Sequence, residues 1–292
     1  SVFQQKISSA LREYPILTLP TKFDTGDSRV VSLDLNDAAP RGGGPAEKQT
    51  ALVYMLARFV LARDFYLSED DVQYFSPLYL EHHRERIRRL RETPKRLVYD
   101  EFHRTRSSLA VRDQVILDMR EGSKRGVQLV LASQLLDDFD QDMVELASGI
   151  WIMGVGSERS AREAQRIFGL SETATHAITQ KLNGPGPGGA PFMALLKLKS
   201  GQHEHLLLNT LGPQEIWAFS TTSRDTVLRN ELYRELGATE ARRRLAARFP
   251  SGSAEDEIRR RFAALVENNQ DSEEARQGVI GMLAKEMLEK RT

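Results

Sequence analysis

Cysteine is absent from this 292-residue chain, which excludes disulfide bonds, zinc–thiolate sites and thiol catalysis. Long apolar runs are absent as well. The longest candidate, residues 51–67, is interrupted by Arg58, Arg63 and Asp64, so no segment offers the roughly 20 apolar residues that a membrane-spanning helix needs. The start at Ser1 has neither a signal-peptide pattern nor an initiator methionine, and we expect a processed chain or an excised fragment.

An excess of charge of one sign is also missing. The chain has 41 basic and 41 acidic residues, which gives a formal net charge of zero. Overall electrostatics therefore give no reason to expect a nucleic acid or an anionic membrane as partner, and only a local basic patch could support one. The length allows one large domain, or a domain with an appendage.

Short apolar segments alternate with helical patterns over the first two thirds of the chain. This alternation predicts an α/β fold, with a mainly parallel sheet and helices on both faces. The predicted helices are residues 50–65, 78–91, 107–121 and 160–168, and the predicted strands are Val30 to Leu35, Leu97 to Tyr99, Val127 to Ala132, Ile150 to Val155, Met193 to Leu198 and Leu206 to Leu208, the last two forming a hairpin.

The composition becomes rich in arginine and glutamate after Ser223. We therefore divide the chain into an α/β core, residues 1–223, and a helical appendage, residues 224–292, with helices at about 226–248, 254–267 and 272–290. Two arginine triplets in the appendage, 242–244 and 259–261, lie beside acidic residues. A solvated, ion-paired helix face and a partner-docking surface both fit this pattern.

Two adjacent carboxylates, Asp100 and Glu101, follow the apolar strand segment that ends at Tyr99. At a phosphate-hydrolysing site, a rigid strand can aim the first carboxylate at a magnesium ion, usually through water. The second carboxylate can orient or deprotonate the attacking water. A solvated turn after the strand is the competing interpretation.

The next strand segment, Val127 to Ala132, runs into Ser133 and Gln134. Parallel sheets place ligands at the carboxyl ends of their strands, so Gln134 is expected at the same edge as Glu101. A neutral amide there can donate to a terminal phosphate and accept from water. Capping of the following turn is the alternative role.

Between these strands lies a basic segment that contains Arg120, Lys124 and Arg125. In ring-shaped ATPases a cation from a neighbouring subunit can stabilise charge on the transferred phosphoryl group. Basic residues are also favoured at a helix carboxyl end by the helix dipole alone, and both interpretations stay open.

The order strand–Asp–Glu, basic–glycine segment, strand–Ser–Gln resembles the ATPase domains of conjugation and type IV secretion, most closely the DotO (IcmB) kind, over about residues 25–225. The resemblance implies a RecA-like core, ATP with Mg²⁺, and a hexamer in the complete protein. It also implies docking at the cytoplasmic side of the bacterial inner membrane, on secretion-channel proteins, and contact with a second hexameric secretion ATPase. The function expected is coupling of ATP hydrolysis to substrate export or apparatus assembly.

The resemblance assigns a role to each candidate residue. Asp100 would hold Mg²⁺ through water, Glu101 would activate the attacking water and Gln134 would sense the γ-phosphate. One of the three cations, Arg120, Lys124 or Arg125, would act across a subunit boundary.

One element of such a motor is missing, because the phosphate-binding motif Gly-x-x-x-x-Gly-Lys-(Ser/Thr) does not occur intact. Residues 41–50 imitate it, but Glu47 stands at the second glycine, Gln49 stands at the hydroxyl position, and Pro45 removes a backbone donor. We interpret this segment as a surface loop. The phosphate-binding loop is expected to precede Ser1, and this chain alone is expected to bind ATP weakly or not at all and to be inactive.

Two other motifs are set aside. The histidine pairs 82–83 and 203/205 lack the further ligands of a metal site, and the glycine–proline segment 184–189 is a connector rather than a phosphate cradle. The alternative functions are a DNA-translocating motor, for which direct nucleic acid contact would be needed, and a non-catalytic ATPase-like scaffold.

Overall fold

The computed structural model describes residues 2–13, 18, 28–35, 38–39, 44–106, 108–154, 157–186, 188–266 and 273–289. Within these ranges the chain is mostly helical, with short 3₁₀ turns between several elements. The helices are α1 (Val2–Glu13), α2 (Pro45–Ala62), α3 (Leu80–Glu92), α4 (Leu109–Gly122), α5 (Gln141–Leu146), α6 (Glu158–Phe168), α7 (Glu172–Lys181), α8 (Pro213–Phe219), α9 (Ser223–Arg248), α10 (Glu255–Val266) and α11 (Glu273–Glu289). The strands are β1 (Lys95–Tyr99), β2 (Val127–Leu131), β3 (Gly149–Ile152), β4 (Ala190–Leu198) and β5 (Gly201–Asn209).

The strands form two small sheets. Strands β1 and β2 pair in parallel, with Lys95 opposite Val127 and Tyr99 opposite Leu131. The other three strands form an antiparallel sheet in the order β3-β4-β5. The α/β class is thus confirmed, whereas one RecA-like, mainly parallel sheet is not found among the described residues.

The predicted strand from Val30 to Leu35 is wrong. Residues 30–35 lie in no strand, and Val30 is 87% exposed. Their alternating apolar pattern resembles a half-buried strand, but a strand also needs a partner for its backbone groups. The predicted strand at 150–155 is found as β3, and Val155 lies outside the described residues.

The segment that imitates a phosphate-binding loop is not a loop over its second half. Helix α2 begins at Pro45, which stands at the first helical position with Gly44 as N-cap; proline is favoured there because its missing N–H has no helical partner to lose. Thr50 is buried in this helix. Residues 41–43 lie outside the described part of the chain.

The chain divides into two compact units, and the first contains Ser1–Ile150, Arg162–Leu170 and Lys197–Gly201. Its core combines the buried positions of β1, the inner faces of α2 and α4, and the turn after β1. Residues alternate between buried and exposed along β1, as a strand covered on one face requires. The main members are Val53, Tyr54, Leu97, Tyr99, Phe102, Val111 and Val115.

The second unit contains Trp151–Ala161, Ser171–Leu196 and Gln202–Thr292. Its helical core is formed by α8, α9, α10 and α11 around fully buried Trp217, Leu228 and Leu232. The Trp217 indole N–H donates to the carbonyl of Phe249 at 2.9 Å, so the one polar atom of this side chain is satisfied. None of the described helices is long and apolar enough to cross a membrane.

Candidate nucleotide-hydrolysis site

The carboxyl ends of β1 and β2 are held together beyond the last paired residues. The Ala132 amide donates to the Tyr99 carbonyl at 2.9 Å, and the Phe102 amide donates to the Ala132 carbonyl at 2.8 Å. These two bonds extend the parallel ladder past both strands. They place Asp100 and Glu101 beside the segment that follows β2.

Glu101 has a left-handed backbone conformation, with φ 53° and ψ 44°. It is the one non-glycine residue with positive φ in the described part of the chain. An L side chain in this region is strained, at a cost of about 1–2 kcal/mol. Asp100 stabilises the turn because its Oδ1 accepts from the Glu101 amide at 2.9 Å.

Gln134 lies directly against Glu101, as the parallel arrangement predicts. Its Nε2 is 3.2 Å from Glu101 Oε1 and 3.3 Å from Oε2. The amide therefore donates to the carboxylate, and its oxygen is left as an acceptor. The two groups that were predicted to meet at one edge do meet there.

Sequence reasoning missed His103. Its Nδ1 lies 3.1 Å from Glu101 Oε2, but that buried nitrogen has no hydrogen-bond partner among the described residues. The pair is thus an ion pair only when the imidazole is protonated. The sequence did contain a signal for this contact, because His103 follows Glu101 by only two residues.

A partly buried chain of hydrogen bonds fixes the backbone of His103. The His103 amide donates to Ser133 Oγ at 3.1 Å, and Ser133 Oγ donates to Asp138 Oδ2 at 2.5 Å. Asp138 is completely buried, and Arg112 donates to its backbone carbonyl at 3.0 Å while pairing with Asp140. These contacts join the turn after β1 to the segment after β2, and no pattern in the sequence indicated the role of Asp138.

Helix α2 contributes a tyrosine to the surroundings of the two carboxylates. Burial raises the pKa of Tyr54, the charge of Arg104 lowers it, and the charges of Glu101 and Asp100 raise it again. The phenol therefore keeps its proton at neutral pH and remains a possible hydrogen-bond donor.

The basic candidates do not lie with the carboxylates. Arg120 is exposed and pairs with Asp142 at 2.8 Å. Lys124 and Arg125 form the turn between α4 and β2, and Arg125 donates to the Leu67 carbonyl at 3.4 Å.

The strand register gives the scale of this separation. Lys124 and Arg125 precede Val127, at the amino end of β2, whereas Gln134 follows Leu131 at the carboxyl end. The four residue steps between Val127 and Leu131 alone span roughly 13 Å at 3.3 Å per residue. Within one chain, these two cations thus cannot reach a phosphate held beside Glu101.

The carboxylate edge does not form a metal centre by itself. No group of three or more His, Cys, Asp or Glu side chains that could hold a metal occurs among the described residues. Mg²⁺ in nucleotide sites needs only one or two carboxylates, because phosphates and waters complete its octahedron. Asp100 is exposed and fits a magnesium ion that arrives with a nucleotide.

The remaining motifs make local contacts. The His83 ring stacks on Phe75 with centroids 4.1 Å apart, and His203 and His205 are stacked on β5 at 6.4 Å. The glycine–proline segment contains a bridge between Gly186 and Gly189.

Comparison of the chain with protein-family models, with curated proteins and with solved structures gave no match.

Proposed function

We propose that this chain is the catalytic part of an ATPase subunit of a type IV secretion or conjugative transfer system. The observation that carries the proposal is the contact between Glu101 and Gln134 at the shared carboxyl edge of parallel β1 and β2. The strained backbone of Glu101 supports it, because such strain persists mainly where function requires it.

The residues divide the work by their chemistry. Mg²⁺ bound with ATP would supply charge neutralisation on the phosphates, and Asp100 would hold it through water. Glu101 would accept the proton of the attacking water. Gln134, which now donates to both Glu101 oxygens, would orient that water and contact the terminal phosphate.

The same proposal covers assembly. Because Lys124 and Arg125 lie at the opposite end of β2 from Glu101, they could act only on a site in a neighbouring subunit, and Arg120 remains a third candidate. The complete protein would work as a hexamer, peripheral to the bacterial inner membrane, with a second hexameric ATPase and the secretion channel as partners.

The test compares two charge-removing variants of the complete protein. Glu101→Gln should keep ATP binding and lose at least a hundredfold in turnover, which is the usual scale of general-base catalysis. Glu121→Gln removes an exposed carboxylate on α4 and should leave turnover unchanged. Normal turnover by Glu101→Gln would refute the assignment.

A non-catalytic scaffold is the second candidate, because the phosphate-binding motif is not intact anywhere in the sequence. This candidate predicts that the complete protein binds no nucleotide. A DNA-translocating motor would instead show turnover that is stimulated by duplex DNA and is strongly weakened by salt.

A further inference from the structure

A concave surface lies at the amino edge of the β1–β2 sheet, at the opposite end of the strands from Glu101. It is an open depression of about 420 Å³, bordered by the first residues of β1 and β2 and by the turn after α4. This volume lies in the range of small-molecule sites. The polar residues along its border are Lys95, Arg96, Ser123 and Gln128.

The polar lining side chains, Arg96, Ser123 and Gln128, can all donate hydrogen bonds, Pro94, Gly126 and Val127 add an apolar border, and no lining residue is a carboxylate. Arg96 Nε donates to Gln128 Oε1 at 2.9 Å, which satisfies the amide oxygen. Four guanidinium N–H groups and the Gln128 NH₂ group remain as donors, and the Ser123 hydroxyl adds another. A site of this kind matches an anion with several acceptor oxygens.

Lys95 places a buried positive charge at the same edge. Its side chain is 8% exposed, and its Nζ donates to the carbonyls of Leu90 and Thr93 at the end of α3. Burial lowers the pKa of Lys95, and a nearby anion would offset that desolvation.

We propose that this depression binds a small phosphate-bearing anion through Arg96, Gln128 and Ser123, while the buried Lys95 on the other face of β1 adds positive charge without touching the anion. The site is independent of the hydrolysis site, because it uses the other edge of the sheet and needs no metal. The phosphate can belong to a soluble compound or to a lipid headgroup, since both present the same acceptor oxygens.

Calorimetric titration with inorganic pyrophosphate, at low salt and with EDTA, tests the site without any contribution from magnesium at Asp100. The chain should bind pyrophosphate saturably with one site. Arg96→Gln should weaken binding at least tenfold, which is the scale of one charge-assisted hydrogen bond. Gln128→Glu should abolish binding, because it places a carboxylate among the donors.

Two control variants separate this site from bulk charge and from the proposed hydrolysis site. Arg89→Gln removes the same charge from an exposed position on α3 outside the lining, and Asp100→Asn changes only the other edge of the sheet. Both should bind like the wild type. If Arg96→Gln and Arg89→Gln weaken pyrophosphate binding equally, the proposed site is wrong and the binding reflects only nonspecific electrostatic attraction to the protein surface.

Vesicles distinguish the two sources of phosphate. A lipid headgroup would be identified if the chain binds phosphatidylglycerol vesicles but not phosphatidylcholine vesicles, and if Arg96→Gln abolishes that binding. Pyrophosphate binding without vesicle binding would identify a soluble ligand. Failure to bind either probe would overturn the proposal, whatever the ATPase activity of the complete protein.

Discussion

At the scale of single residues, Glu101 combines strain with a proposed chemical role. Glycine adopts positive φ without the steric cost that other residues meet. Glu101→Gly should therefore raise the free energy of unfolding by up to about 1 kcal/mol, or leave it unchanged, while it abolishes turnover. Urea denaturation of the two proteins measures this difference.

Glu85→Gly is the matched control for Glu101→Gly, because it makes the same change at an exposed position inside α3. At that position glycine should lower the free energy of unfolding by about 1 kcal/mol. A loss of the same size for Glu101→Gly would show that the backbone of Glu101 is not strained.

A second residue-scale prediction concerns pH. Burial and the charge of Asp118, opposed in part by Arg58, together raise the pKa of Tyr66 to about 12. The phenol of an unfolded tyrosine has a pKa near 10. The contribution of Tyr66 to the free energy of unfolding is therefore complete below pH 10 and is lost as the pH rises through 12. Between pH 9 and pH 11 the free energy of unfolding, measured by urea denaturation, should fall by on the order of 1 kcal/mol more in the wild type than in Tyr66→Phe.

The control for this pH dependence is Tyr79→Phe, since Tyr79 is 56% exposed. This variant should follow the wild-type curve. The Tyr66 hydroxyl is buried without a hydrogen-bond partner among the described residues, so Tyr66→Phe should also cost nothing at pH 8. An alkaline loss as large in Tyr66→Phe as in the wild type would contradict the assignment.

At the scale of elements, the helical core of the second unit should follow ordinary packing energetics. Leu232 on α9 is completely buried, whereas Val227 on the same helix is 43% exposed. Leu232→Ala should lower the free energy of unfolding by about 2–5 kcal/mol, because it leaves a cavity. Val227→Ala should cost less than about 0.5 kcal/mol. Equal effects in thermal or urea denaturation would contradict the packing described for this core.

The elements that the sequence predicted correctly are those with strong local patterns. Strands β1 and β2 are short runs with apolar and β-branched residues, and helices α3, α4 and α9 are long segments without proline. Short helices such as α5 and α8 have too few residues to show a period. The strand predicted at residues 30–35 failed because pairing depends on a partner that a local pattern cannot reveal.

The candidate site was predictable only in part, for the same reason. The meeting of Glu101 and Gln134 followed from the parallel strands, since carboxyl ends share an edge. The positive φ of Glu101 and the support from Asp138 through Ser133 arise from tertiary contacts. The depression between Arg96 and Gln128 depends on strand register, which the sequence does not specify.

At the scale of the whole molecule, the two edges of one small parallel sheet have opposite chemistry. The carboxyl edge presents Asp100 and Glu101, and the amino edge presents Lys95, Arg96 and the turn with Lys124. The two proposals place a magnesium–nucleotide complex at the first edge and a free phosphate at the second. The proposed function requires that the metal lie beside Glu101 and Gln134.

The position of the metal is the most direct test of that requirement. The measurement is paramagnetic broadening by Mn²⁺ with a non-hydrolysable ATP analogue, in the complete protein labelled with ¹⁵N-glutamine. Gln134 and Gln128 lie at opposite ends of the β2 region, so each reports on one edge. We predict that the Gln134 side-chain signal disappears while the Gln128 signal persists. Persistence of the Gln134 signal at a nucleotide concentration that saturates the protein would contradict the proposed function.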